Sequence, residues 1–190
     1  MYSKLHRYGD EELHVLCVLK GSRGFFSELL RVLNRIHRYT DHHVNAPFFE
    51  HYVRTAADGS ERVTLVDAKA SGRASAMRPA DAPASLPLVD LEQIRGKHVL
   101  VIEDQIQTGG TLKKVCGELA RLDPKSVKIA ALVDHRSPET MKNMDADFVG
   151  FVAPPDSVLV GFCLDYNERY RDLEHICALT PAAVEKYKQK

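Results

Sequence analysis

The chain has no excess of positive charge: 26 lysines and arginines stand against 26 aspartates and glutamates. Binding to nucleic acid or to a membrane surface depends largely on clustered cations, so this balance argues against both. Long apolar runs are missing too, and nothing approaches the roughly 20 residues that a bilayer-crossing helix needs. The opening "MYSKLHRYGDEEL" lacks the apolar core of a signal peptide. Cysteines are few and scattered. Cys17, Cys116, Cys163 and Cys177 form no C-x-x-C pair and each sits in an apolar segment, which favours buried thiols over a metal cluster or disulfides. A reducing, cytoplasmic compartment is the expectation. The 190 residues suit one domain with a full core, without a linker to divide it or an internal repeat.

What is present is an alternation of strands and helices. "LHVLCVL" (13–19) is a short apolar run before Lys20-Gly21-Ser22, the pattern of a buried parallel strand feeding a loop. Phe26, Leu29, Leu30, Leu33 and Ile36 recur at helical spacing, predicting an amphipathic helix over 24–37. "FFEHYVR" (48–54) reads as a strand, for the core rather than for an interface between copies. From 55 to 87 the pattern dissolves into Ala, Asp, Ser, Gly and Pro, with strand character only in "RVTLVDA" (62–68). A lid-like excursion holding a hairpin is expected there. Asp90 is placed to cap a short turn before the strand "GKHVLVIED" (96–104). Leu112, Val115, Leu119 and Leu122 mark a helix that ends near Asp123-Pro124. Further strands are predicted at 126–134, 147–151, 158–165 and 175–179. The fold class is therefore α/β, with a mainly parallel sheet flanked by helices.

In such sheets ligands bind beyond the carboxyl ends of the strands. "HVLVIEDQIQTGGTL" brings Glu103 and Asp104 to that edge and then opens a helix. Free backbone N–H groups and the dipole at a helix start favour a phosphate. Gly109 and Gly110 allow unusual backbone angles and close approach, and Thr108 and Thr111 add hydroxyl donors. The two acids can grip the hydroxyls of a sugar joined to that phosphate. Without Gly-Lys-Thr this is not the loop of the common ATPases.

The segment resembles the phosphoribosyl-diphosphate (PRPP) signature of type I phosphoribosyltransferases, and most closely that of the hypoxanthine-guanine branch. Three other stretches agree: "LCVLKGS" resembles the family's pyrophosphate loop, "LVDHRSP" its purine-reading loop, and "DFVGF…VLVGFCLDYNERYRDLEHICAL" its purine-side hood. The resemblance implies the type I fold, with a hood formed by 151–190. It implies that Lys20, Gly21 and Arg171 contact pyrophosphate, and that Asp165 is a ligand of Mg²⁺. His135, Val158 and Leu159 would lie on the purine side. The implied reaction moves phosphoribosyl from PRPP to a purine, giving a nucleoside monophosphate and pyrophosphate in purine salvage. The implied assembly is a homo-oligomer.

The sequence also departs from that pattern. Gln107 stands where the family has the aspartate assigned to proton transfer, and an amide cannot exchange a proton at neutral pH. His135 replaces a lysine that donates to the purine's six-position oxygen, and Val158 replaces an aromatic that stacks on the base. No Ser-Tyr dipeptide occurs in 55–87, where the family's lid carries one. Only a dozen residues stand before Leu13, where the family has a helical segment, so part of the hood is expected to be missing. The ribose-phosphate half of the site is thus retained, and the base half is changed. Two functions follow as expectations: a hypoxanthine-guanine type transferase of weak or altered activity, or a nucleotide-binding or interaction protein on the same fold. A PRPP-sensing regulator of transcription would need a basic surface that the charge balance does not supply.

Overall fold

A strand buried along nearly its whole length belongs inside a sheet covered on both faces. The computed structural model, which describes residues 12–39, 48–55, 63–66, 91–138, 140 and 144–188, places β1 (Leu13–Leu19) in that position. It is followed by α1 (Arg23–Tyr39), β2 (Phe48–Thr55), β3 (Val63–Val66), a 3₁₀ turn (Leu91–Ile94) and β4 (His98–Ile106). Then come α2 (Gly110–Ala120), β5 (Ser126–Asp134) and β6 (Phe148–Val152). The strand order is β3-β2-β1-β4-β5-β6; β3 runs antiparallel to β2 and the other five strands are parallel. The predicted parallel sheet and flanking helices are observed. The strand expected in 62–68 is β3, hairpinned onto β2. The rest of the excursion from 56 to 87, and Asp90, lie outside the described residues.

Alternation along β1 divides the core. Leu13, Val15 and Cys17 face α1 and pack with Phe26 and Leu30. Leu16 and Val18 face the other way, with Val99, Val101 and Ile129, and α2 covers them through Leu112, Val115 and Leu119. Both helices are therefore held by apolar stripes at the predicted spacing. At the amino ends of the strands, His14 and His51 form a buried pair on the α2 face, with His14 Nδ1 2.8 Å from His51 Nε2. Of the cysteines, Cys17 is buried, Cys116 and Cys163 are half-buried and Cys177 is exposed; all four are free. The expectation of four buried thiols is corrected at Cys177, which lies on an exposed two-residue strand of the small hood sheet.

The hood departs furthest from expectation. Strands were predicted over 158–165 and 175–179, but the extended pairing is short: β7 (Leu159–Val160) against β8 (Cys177–Ala178). The intervening apolar run bends through positive φ at Gly161, Phe162, Cys163, Asn167, Glu168 and Tyr170. Its backbone bonds run between turns, as in Phe162 N–H to Leu173 O at 2.7 Å and Cys163 N–H to Arg171 O at 3.1 Å. A short α3 (Pro181–Lys186) closes the described chain, with Thr180 Oγ1 accepting from Ala183 N–H and Pro181 in the first turn.

Candidate active site

The carboxyl edge of the sheet gathers four pieces of chain. β4 supplies the first, running to Ile106, so Glu103 and Asp104 lie within the strand rather than at its end. Glu103 is buried and its Oε2 has no hydrogen-bond partner. Burial, the Asp104 charge and a hydrogen bond to Asp104 raise the Glu103 carboxyl well above its usual range. Burial also raises Asp104, opposed by its bonds to Glu103 and to the Gln105 N–H. Two adjacent carboxyls, one buried and one half-buried, oppose each other's ionisation, and both are pushed upward. These acids are not a solvated strand end.

The second piece is the loop from Gln107 into α2. A cavity of about 240 Å³ is lined by the continuous segment from Glu103 to Leu112, so both acids and the helix start face one space. Gly109 sits at φ 74° as the N-cap of α2, a left-handed conformation that favours glycine. As glycine, the N-cap has no side chain to offer that helix start, and no acid stands in its first turn. Gly110, by contrast, is the first helical residue, and its N–H donates to Thr108 Oγ1 at 3.3 Å. The expected special backbone is therefore a property of Gly109 rather than of both glycines. Gln107 is exposed, and its backbone carbonyl accepts from Thr140 Oγ1 at 3.1 Å.

The loop between β1 and α1 is the third piece. The Leu19–Lys20 peptide is cis, and Gly21 packs directly on Asp104: a Cβ there would overlap the Asp104 carboxylate. Gly24, on the first turn of α1, presses on the hood, where an added Cβ would lie 2.8 Å from Phe162 O. The hood is the fourth piece. Arg171 Nη2 meets Asp165 Oδ1 at 2.6 Å, and its Nη1 donates to Cys163 O at 2.8 Å. Glu168 bridges from the hood to Lys20 at 3.1 Å and to Arg171 at 3.3 Å. Lys20, and after it Arg171, lowers the Glu168 carboxyl from its usual range.

Asp165, the residue expected to hold Mg²⁺, has Oδ1 paired with Arg171 at 2.6 Å and Oδ2 accepting the Glu168 N–H at 2.7 Å. Its side chain is about a quarter exposed beside Arg171. Among the described residues no cluster of three or more His, Cys, Asp or Glu side chains could hold a metal by itself. A lone carboxylate completed by phosphate oxygens and water fits Mg²⁺, which keeps several waters and seldom uses an all-protein cage.

On the base side, His135 is buried at 4% exposure; its N–H donates to Ile106 O, and neither ring nitrogen has a hydrogen-bond partner. Burial lowers its pKa, so the imidazole is neutral at physiological pH. Val158 is half-buried, and its carbonyl accepts from Leu179 N–H. Leu159, expected on the purine side, packs its side chain into the core with Leu132, Val133 and Leu164. Its apolar neighbours on β5 and in the hood draw it inward.

Three features escaped sequence reasoning. Arg136 is buried and grips Asp134 through Nε–Oδ1 at 2.9 Å and Nη2–Oδ2 at 2.7 Å, and also reaches Met144 O. Asp134-x-Arg136 places both on one side of an extended chain, a signal available in "VDHRSP". Thr140 tethers the same segment to Gln107. Glu168 is the third, visible in sequence only as an acid inside a turn.

The family profile of the phosphoribosyl transferase domain matches residues 1–167. The hypoxanthine-guanine-xanthine phosphoribosyltransferase of Plasmodium falciparum is 42% identical over 184 residues, covering 95% of this chain and 71% of that protein. The hypoxanthine-guanine phosphoribosyltransferase of Homo sapiens is 34% identical over 180 residues, covering 95% and 73%. Among solved structures, a hypoxanthine-guanine phosphoribosyltransferase from Bacillus anthracis superposes with TM-score 0.63 at 26% identity, over 93% of this chain and 85% of that one. With these relatives aligned along nearly all of it, the chain belongs to the phosphoribosyl transferase domain family.

Proposed function

We propose that this protein transfers phosphoribosyl from PRPP to a purine of the hypoxanthine-guanine class, at a rate limited by its proton-transfer position. The observation that carries the reading is convergence: the helix-start cradle at Gly109, the acid pair Glu103 and Asp104, Lys20, Asp165 and Arg171 meet on one sheet edge. A 5′-phosphate would sit on the backbone N–H groups from Thr108 to Thr111. The unpartnered Glu103 Oε2 and its neighbour Asp104 suit the ribose hydroxyls, which would satisfy a buried polar atom. Lys20 and Arg171 would take the negative charge that develops on pyrophosphate as the bond from C1 to its oxygen breaks and the bond to the purine nitrogen forms. Mg²⁺, when bound, would supply further charge neutralisation, and Asp165 would hold it.

The purine nitrogen must also lose its proton. Gln107 can hydrogen-bond the ring but cannot accept that proton, which lowers the rate by about 10²–10⁴. His135 offers one donor and one acceptor as a neutral imidazole. That same set, Gln107, His135 and Val158, favours the second reading, a protein that binds PRPP or nucleotide without turning it over.

Nucleotide formation from PRPP, Mg²⁺ and hypoxanthine, guanine or xanthine, measured for the native chain beside Gln107→Asp, separates the readings. Slow native turnover with a gain of about 10²-fold or more in the variant is expected. Silence from the native chain with activity in the variant would leave binding as its role. Silence from both would sink the transferase reading.

A further inference from the structure

Glu168 occupies an unfavourable backbone position. Tyr166 and Arg169 pair through two backbone hydrogen bonds of 3.2 and 3.1 Å, and the two residues between them, Asn167 and Glu168, have φ of 51° and 61°. This is the geometry of a type I′ turn, which Asn-Gly fills without strain. Glutamate in the second central position is disfavoured, and such outliers persist where surrounding contacts enforce them and often where a site uses them. Here the Asp165 carboxylate accepts the Glu168 N–H at 2.7 Å, which holds the turn. The strained turn aims the carboxylate at two cations from separate parts of the chain. Both Glu168 oxygens lie within 3.2 Å of Lys20 Nζ, and Oε2 lies 3.3 Å from Arg171 Nη2. A carboxylate spanning an ammonium and a guanidinium makes the contacts a phosphate oxygen would make.

We propose that Glu168 is a built-in competitor for the pyrophosphate: its carboxylate holds Lys20 and Arg171 and must leave them before a diphosphate can bind, so this residue sets diphosphate affinity. The proposal rests on the assignment of Lys20 and Arg171 made above. It makes Glu168 a positioning residue. The contact is a good candidate for displacement because the Lys20 and Glu168 side chains are 55% and 63% exposed, and exposed ion pairs are weak. It also gives Asp165 two linked tasks, since the same carboxylate that holds the Glu168 turn is paired with Arg171. Drawing Asp165 toward a diphosphate-bound cation would loosen the turn as the diphosphate arrives.

The test is a calorimetric titration of inorganic pyrophosphate in the presence of Mg²⁺ into the native chain, Glu168→Gln, Glu168→Gly and Lys20→Ala. Both Glu168 variants should bind pyrophosphate about threefold to tenfold more tightly, the range expected when weak ion pairs no longer compete. GMP, which needs the phosphate cradle but neither cation, should bind all variants alike. Glu168→Gly should also melt at a higher temperature, because glycine relieves the positive φ. Lys20→Ala should weaken pyrophosphate binding. If Lys20→Ala weakens binding while both Glu168 variants leave it unchanged or weaker, the competitor role is wrong and the site assignment stands. If Lys20→Ala has no effect, the assignment itself fails and the proposal with it. A purely structural turn would shift the melting temperature without tightening pyrophosphate.

Discussion

Replacing Arg136 by methionine should be the most damaging single change near the site that leaves the phosphate cradle untouched. The Arg136 and Asp134 side chains are 5% and 9% exposed, and they meet through two parallel hydrogen bonds of 2.9 and 2.7 Å. Removing the guanidinium leaves the buried Asp134 carboxylate with the backbone N–H of residue 136, at 3.2 Å, as its remaining local donor. Breaking a buried pair from one side costs about 3–5 kcal/mol. For a chain of this size that lowers the melting temperature by roughly 8–15 °C. The pH dependence is the sharper signature. In the native chain Arg136 holds Asp134 below its usual range, so its stabilisation is present above the unfolded pKa and is lost as pH falls through the lower folded value. In Arg136→Met, burial without a cation raises the same carboxyl. Its penalty is then greatest at neutral pH and shrinks on acidification. Urea unfolding at pH 7.5 and pH 5 should show the native-minus-variant gap narrowing. A double change, Asp134→Leu with Arg136→Met, should recover much of the loss, because apolar replacement of a buried pair is often tolerated. A gap below about 1 kcal/mol at neutral pH, or one independent of pH, would refute the reasoning.

Two further outcomes follow from the same kind of accounting. His14 is buried beside His51, and burial, followed by the His51 charge, lowers its pKa to about 4. A histidine depressed in this way contributes stability above its unfolded pKa of about 6.5 and loses it as pH falls toward 4; after allowance for screening this amounts to about 2 kcal/mol. His14→Phe should flatten that slope in urea melts across pH, and an unchanged slope would place the sensitivity elsewhere. Gly21→Ala forces a methyl group against the Asp104 carboxylate. It should cost about 1–3 kcal/mol of stability and raise KM for PRPP about tenfold; unchanged steady-state kinetics would mean that Asp104 is not held by this contact.

How far the site could be read from the chain depended on how local each feature is. Leu13–Leu19 announces a central strand because six of its seven residues are apolar and both sheet faces are covered. The strand, turn and helix start around Gly109 were legible because they lie within fifteen consecutive residues. The hood misled for a physical reason: "VLVGFCLD" has the composition of a strand, yet close approach of Gly24 to Phe162, and six positive φ angles between Gly161 and Tyr170, make it a chain of turns. Periodicity cannot report a backbone that tertiary packing has bent. Leu159 shows the same limit, since a sequence match assigns a position but does not say that its side chain packs with Leu132, Val133 and Leu164.

The features that were invisible are those made by distance along the chain. Lys20 and Glu168 are separated by 148 residues and His14 and His51 by 37, so no local pattern joins them. Each alone reads as an ordinary surface charge or an incidental histidine. Folding gives them meaning by different routes. Parallel pairing of β1 with β2 aligns Leu16 with His51, which sets the histidine pair on one face. The turn at Asn167-Glu168 carries an acid from the hood onto the β1–α1 loop. The helix-start loop is thus encoded locally, while the contact between Lys20 and Glu168 is encoded in topology. That difference explains why departures at Gln107, His135 and Val158 could be noticed from the sequence, whereas the contact between Glu168 and Lys20 could not.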